Sequence, residues 1–208
     1  MSCPYRFIVL DGVEGAGKTT QIARLAQALR AAGEDVLVTI EPGGTPVGQA
    51  IRELLLSPDY PEMTALTEIF LFCASRAQHV AQVIRPALAA GRLVLCDRFS
   101  AATFAYQGYA GEAGEDLVVA LDEAARGGLA ADMTIILDLA PEEGLQRKFG
   151  AGADDADRIE RNELEFHRRV RAGFHEYARR YPGCTAIIDA AREEDEVFAA
   201  VCAVLGVR

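Results

Sequence analysis

Gly12-Val13-Glu14-Gly15-Ala16-Gly17-Lys18-Thr19 decides the fold of this chain. The stretch matches Gly, four residues, then Gly-Lys-Ser/Thr, the pattern of a phosphate-binding loop. Phe7-Ile8-Val9-Leu10 precedes it as an apolar strand, and a helix-like segment follows. Glycines at 12, 15 and 17 let the backbone approach a polyphosphate closely. The loop N–H groups and the next helix N-terminus then face the anion. Lys18 can reach the outer phosphates, and the Thr19 hydroxyl can hold Mg²⁺.

Outward from the loop, strand and helix alternate. Strands are predicted at 6–10, 36–40, 93–96, 134–138 and 186–189, each a short apolar, β-branched run. Helices are predicted at 18–32, 46–56, 63–90, 115–126, 141–149, 158–180 and 193–205. Pro86 is expected to kink the long stretch near its end. Gly150 through Ala156 is small and acidic and is expected to be mobile. Continuous apolar strands separated by helices imply α/β architecture: a single-domain P-loop fold, five parallel strands flanked by helices on both faces. Ligands in such sheets bind at the carboxyl ends of the strands.

Composition narrows the function. Half of the 208 residues are apolar and a quarter are charged, with net charge −10. That balance suits a globular protein and argues against a nucleic-acid surface, which needs a broad basic patch. Cys3, Cys73, Cys96, Cys184 and Cys202 are scattered and lack Cys-x-x-Cys spacing, as expected of reduced thiols in the cytoplasm. No run approaches membrane-spanning length, and no signal pattern opens the chain. The histidines His79, His167 and His175 read as structural or solvent-facing.

Two further strand ends carry chemistry, and two other segments join them. Glu41-Pro42-Gly43-Gly44-Thr45 follows strand two as a tight turn. Asp97-Arg98 ends strand three: an Asp there can hold Mg²⁺, directly or through water, and Arg98 offers a bidentate phosphate clamp. Phe72 and Arg76 lie one helical turn apart. Spacing alone reads them as a core residue and a solvent-facing one; the alternative is a pair gripping a flat heterocycle. Thr103, Tyr106 and Gln107 bring hydroxyl, phenol and amide groups suited to a base edge.

Taken together, these residues resemble the thymidylate kinase family, the bacterial dTMP kinases. The phosphate loop with Glu14, the Glu-Pro-Gly-Gly-Thr turn, Phe72-x-x-x-Arg76, Asp97-Arg98, Ala105-Tyr106-Gln107-Gly108 and Asp157-Arg158-Ile159-Glu160 occur in family order over nearly the whole chain. The resemblance implies transfer of a phosphoryl group from ATP, with Mg²⁺, to dTMP. ATP would lie on Gly12, Val13, Glu14, Gly15, Ala16, Gly17, Lys18, Thr19 and Thr20. Glu14 would also face the deoxyribose 3′-hydroxyl. Phe72 would stack on thymine and Arg76 would bond its carbonyl, with Thr103, Tyr106 and Gln107 lining the base. Arg98 and Arg52 would clamp the acceptor phosphate in a pocket shaped by Glu41 and Pro42. Mg²⁺ would be held by Thr19 and Asp97.

Residues about 143–158 would form a short lid, with Arg147 first, Arg158 second and Arg161 third as its catalytic cation, alongside Lys18 and Arg98. A homodimer through helices is implied. Two departures stand out: Phe99 occupies a position where the family has Tyr or His, removing a polar group expected to be peripheral, and the lid is acidic rather than arginine-rich. The rival readings are a kinase for another monophosphate or a deoxynucleoside, a P-loop switch, and an inactive member. A GTPase switch would need Asn-Lys-x-Asp, whereas Asn162, the chain's one asparagine, precedes Glu163. Residue types alone do not separate dTMP from dUMP, since burying the thymine methyl is worth only ~1 kcal/mol.

Overall fold

The computed structural model describes residues 3–150, 157–160 and 163–207. β1 (Phe7–Gly12) runs into the phosphate loop and α1 (Lys18–Ala31). β2 (Val36–Ile40) leads to α2 (Pro46–Leu56), whose N-terminus is capped by the Thr45 hydroxyl accepting from Gly48 N–H at 2.9 Å. α3 (Ala65–His79) continues through a wide π-helical turn, Val80–Ile84, into α4 (Arg85–Ala89). The expected single helix over 63–90 is therefore three segments. Pro86 has no N–H and its ring crowds the carbonyl one turn back, and the hydrogen bonding widens just ahead of it.

β3 (Leu93–Asp97) is followed by α5 (Ser100–Thr103) and a second π-helical stretch, Phe104–Tyr109. Then come α6 (Glu115–Arg126), β4 (Met133–Asp138), α7 (Pro141–Phe149), α8 (Leu164–Arg180), β5 (Thr185–Asp189) and α9 (Glu194–Leu205). The helix expected from Arg158 begins only at Leu164. Residues 157–160 are instead a turn in which the Asp157 carboxylate takes the Ile159 and Glu160 amides, both at 2.9 Å. The side-chain oxygen captures amides that a helix would have used. Arg161 and residues 151–156 lie outside the described residues.

All five strands are parallel, in the order β2-β3-β1-β4-β5. Side chains alternate across the sheet with a period of two. Ile8 and Leu10 pack with Ile22, Leu25, Phe174 and Val201 on one face. Phe7 and Val9 pack with Val80, Ile84 and Ala87 on the other. Both faces are thus covered by helices, as a parallel sheet requires. The register pairs Leu10 with Asp97 and Ile40 with Asp97. The carboxyl ends of β1, β2 and β3 therefore lie side by side and deliver their loops to one place.

Candidate active site

That place is a cavity of about 440 Å³ lined by the phosphate loop, the β2 turn, the end of β3, one face of α3, the 99–107 segment and the end of α7. The loop is seated tightly. A Cβ on Gly15 would lie 2.0 Å from the Gly144 carbonyl oxygen of α7, so only glycine lets the loop rest on that helix. Lys18 folds back over the loop, its Nζ donating to the carbonyls of Val13 at 2.8 Å and Gly12 at 3.1 Å. Burial, reinforced by the Arg98 charge, pushes the Lys18 ammonium down to about 8. Thr19 and Thr20 are exposed beside it.

Arg98 ties the end of β3 to the phosphate loop. Its backbone is left-handed, at φ 67°, and its N–H donates to Leu10 O at 3.0 Å. The guanidinium reaches Glu14 Oε1 at 2.6 Å and Gly12 O at 3.1 Å, with Asp11 Oδ1 at 3.4 Å. Tyr106 also donates to Glu14 Oε1, at 2.8 Å. Burial works against ionisation of Glu14, but Arg98, Lys18 and Lys148 outweigh it and hold the carboxyl down to about 2. Asp97 Oδ1 is buried with no hydrogen-bond partner among the described residues. An acceptor left open on a cavity that Thr19 also lines fits a Mg²⁺ ion, which keeps most of its waters and takes one or two protein oxygens.

Asp11 was not legible as a functional residue. It is fully buried inside an apolar strand, and its Oδ2 accepts from Ala102 N–H at 2.9 Å and Phe99 N–H at 3.4 Å. It thereby caps α5 from across the sheet while facing Arg98. Burial pushes its carboxyl up to about 6, against the opposing charges of Arg98 and Lys18. The one signal in the sequence was a lone acid in an otherwise apolar run just ahead of the loop.

On the cavity wall formed by α3 and the β2 turn, Arg76 is neither exposed nor idle. It is 1% exposed. Its Nε donates to Glu41 Oε2 at 2.8 Å, one terminal nitrogen to Asp122 Oδ1 at 2.5 Å and the other to Thr103 Oγ1 at 2.9 Å. The spacing-based reading of Arg76 as solvent-facing is thereby overturned. The other oxygen of Glu41 is held by His79 Nδ1 at 2.8 Å, and His79 Nε2 meets Thr39 Oγ1 at 2.6 Å. A Cβ on Gly44 would sit 2.5 Å from the His79 ring, which explains the second glycine of the β2 turn. Phe99 belongs to the same cluster. It is buried, packs edge-on against Phe7, and carries the Arg76 guanidinium 4.8 Å above its ring centre. Phe72 is half-buried on the cavity wall, and Arg52, whose guanidinium donates to Pro42 O at 2.9 Å, lines the same wall.

The lid cations separate. Arg147 and Lys148 line the cavity. Arg147 donates to Ala190 O at 3.0 Å and to Glu143 at 2.6 Å, whereas Lys148 pairs with Glu160 and lies 3.8 Å from Glu14 Oε2. Arg158 does not line the cavity; it is docked on the end of α2 and paired with Glu68.

Comparison with known proteins accords with this geometry. The thymidylate kinase family model matches residues 10–201. The chain belongs to the thymidylate kinase family. It is 51% identical to the thymidylate kinase of Caulobacter vibrioides over 94% of this chain and 93% of that one. It is 48% identical to that of Deinococcus radiodurans, with 97% of each covered. Its fold matches the crystal structure of thymidylate kinase from Ehrlichia chaffeensis with a TM-score of 0.77 at 30% identity, covering 96% and 97% of the two chains. Thymidylate kinases transfer a phosphoryl group, and the sites assembled here, a phosphate loop facing a lined acceptor pocket, suit that chemistry.

Proposed function

We propose a division of labour for the phosphorylation of dTMP to dTDP by ATP and Mg²⁺, the reaction of this family, in the path to dTTP. The observation that carries it is the single cavity shared by the phosphate loop and the Glu41–Arg52–Phe72–Arg76–Gln107 wall. Gly12 through Thr20 cradle the ATP phosphates, with Lys18 on the outer ones. Thr19 and Asp97 would hold Mg²⁺, whose charge would neutralise the phosphates. Arg98 leaves Glu14 in part to clamp the acceptor phosphate with Arg52, and Glu14 faces the 3′-hydroxyl. Phe72 supplies a stacking face, and Arg76 has guanidinium hydrogens left for a base carbonyl. Glu41, Pro42, Thr103, Tyr106 and Gln107 complete the dTMP pocket.

Phosphoryl transfer needs positioning and charge stabilisation rather than covalent catalysis. Of the lid arginines, Arg147 takes that role ahead of Arg158, since it lines the cavity and Arg158 is docked outside it. Residues about 143–158 act as the lid within one kinase unit spanning 1–208. Exposed Leu66 and Phe70 on α3, the latter 51% exposed, support a homodimer through that helix. Free cysteines throughout the described residues, and the absence there of any helix long and apolar enough to cross a membrane, support a cytoplasmic protein.

The test is ADP formation from ATP and Mg²⁺ with each nucleoside monophosphate, plus a control without acceptor. Turnover mainly with dTMP, with matching dTDP, is expected. ADP release without acceptor would mean a switch, and preference for another monophosphate would overturn the base pocket.

A further inference from the structure

Glu68 stands on α3 one turn before Phe72, and nothing in the division of labour above uses it. Its two oxygens face different partners. Oε1 accepts from Gln107 Nε2 at 2.7 Å, and Oε2 pairs with the Arg158 guanidinium. Both Glu68 and Arg158 side chains are only 16% exposed. Arg158 is itself pinned to the end of α2, its Nε donating to Leu55 O at 3.0 Å and its backbone N–H to Leu56 O at 3.2 Å. Glu68 therefore has little room to reorient.

A carboxylate with a guanidinium on one oxygen can only accept hydrogen bonds at the other. A glutamine amide has a donor end and an acceptor end, and its partners decide which end faces which way. Glu68 draws the NH₂ end of Gln107 to itself. The carbonyl end is what Gln107 has left to offer the cavity that it lines. Thymine and uracil carry a hydrogen on N3; cytosine presents a bare, accepting N3 at the same edge. An accepting Gln107 pairs with the first and opposes the second.

We propose that Glu68 is a specificity-determining positioning residue: by taking the amide donor of Gln107 it makes Gln107 an acceptor toward the base, selecting an N3–H pyrimidine over cytosine. The proposal rests on the reading that Gln107 faces the base. Arg158 is the second anchor of the device, since it fixes which oxygen of Glu68 is free.

Glu68→Gln gives the sharpest test. Beside donor-only Arg158, a glutamine must turn its carbonyl to the guanidinium and its NH₂ to Gln107. Gln107 then flips and offers its donor end to the base. The expected result is a fall of ~10-fold or more in the dTMP-over-dCMP ratio of kcat/KM. The dTMP KM should rise, dCMP turnover should improve, and the ATP KM should hold within about twofold. Glu68→Asp, still acceptor-only, should retain most of the ratio. Gln107→Ala separates the two layers of inference. If it leaves the ratio unchanged, the reading of Gln107 itself falls. If it collapses the ratio while Glu68→Gln leaves it intact, Gln107 stands and the role of Glu68 is overturned. A loss shared equally by Glu68→Asp and Glu68→Gln, with the ATP KM rising too, would mean packing alone and would also overturn the proposal. Should Glu68→Gln fail to fold, Arg158→Gln is expected to lower the same ratio by releasing the second anchor, and an unchanged ratio there sinks the device.

Discussion

Arg76→Ala separates the structural weight of the acceptor wall from its chemistry. Arg76 is the shared counter-charge of two buried acids, Glu41 and Asp122. Removing one partner of a buried ion pair costs ~3–5 kcal/mol, because the charge left behind is uncompensated. Here each carboxylate keeps a second partner. His79 Nδ1 stays on Glu41 at 2.8 Å, while Arg126 Nε and the Ser100 hydroxyl stay on Asp122, both at 3.1 Å. The lower end, ~3 kcal/mol, is therefore expected. For a domain of this size 1 kcal/mol moves Tm by ~2–4 °C, so Tm should fall by ~6–12 °C. Calorimetry of the ligand-free protein at neutral pH reads this directly. Adding Asp122→Ala should recover part of the loss, since it removes a carboxylate that has lost its more deeply buried counter-charge. Kinetics below the new transition should then show the dTMP KM raised far more than the ATP KM. A fall in Tm under ~2 °C, or no recovery in the double variant, would refute the argument that Arg76 neutralises this pair.

Three other outcomes follow from the charges around the loop. Lys18, pushed down to about 8, is protonated and competent below that pH and loses its charge above it, so kcat/KM for ATP should decline with an alkaline limb near pH 8. Lys18→Arg, which does not titrate there, should lack that limb whatever its absolute rate; a limb that persists assigns it elsewhere. Asp11, pushed up to about 6 against ~3.9 unfolded, binds its proton more tightly when folded. Its contribution to stability is therefore greatest below ~pH 4 and is lost as pH rises towards 6, by up to ~3 kcal/mol. Urea unfolding of the wild type should show that decline relative to Asp11→Asn, and parallel curves would count against a protonated buried Asp11. Arg147→Ala should lower kcat more than it raises either KM, while an unchanged kcat would pass the lid role to Lys148, the neighbouring cation of the same helix end on the cavity wall.

The strands, most helices and the phosphate loop were legible because each is written in consecutive residues. The apolar runs set the strands, and the glycine spacing set the loop. The β2 turn and Asp97-Arg98 were legible for the same reason: a motif at a strand end arrives at the ligand wherever the strand goes. What stayed hidden depends on partners far away in the chain. Arg76 looked solvent-facing by helical spacing, and only the acids at 41 and 122 and the hydroxyl at 103 keep it buried. Ser100–Thr103 carries no side-chain cap of its own, because its amides are satisfied by Asp11 from β1.

The same physics explains why the packing of Phe99 and the contacts of Glu68 were not legible in the sequence. Phe99 is one apolar residue after Asp97-Arg98, and only the fold brings its ring beneath the Arg76 guanidinium, 23 positions earlier in the chain. Glu68 is an ordinary acid in the first turn of a helix, where the dipole alone would justify it. Its weight appears only when Gln107 and Arg158, 39 and 90 residues away, come to its two oxygens. On the assignment proposed above, the groups that would touch phosphate are local motifs, while those that would orient the base-reading side chains are assembled by the fold. A triphosphate site is therefore written in consecutive residues, and base discrimination would depend on contacts that only the folded sheet and its helices create.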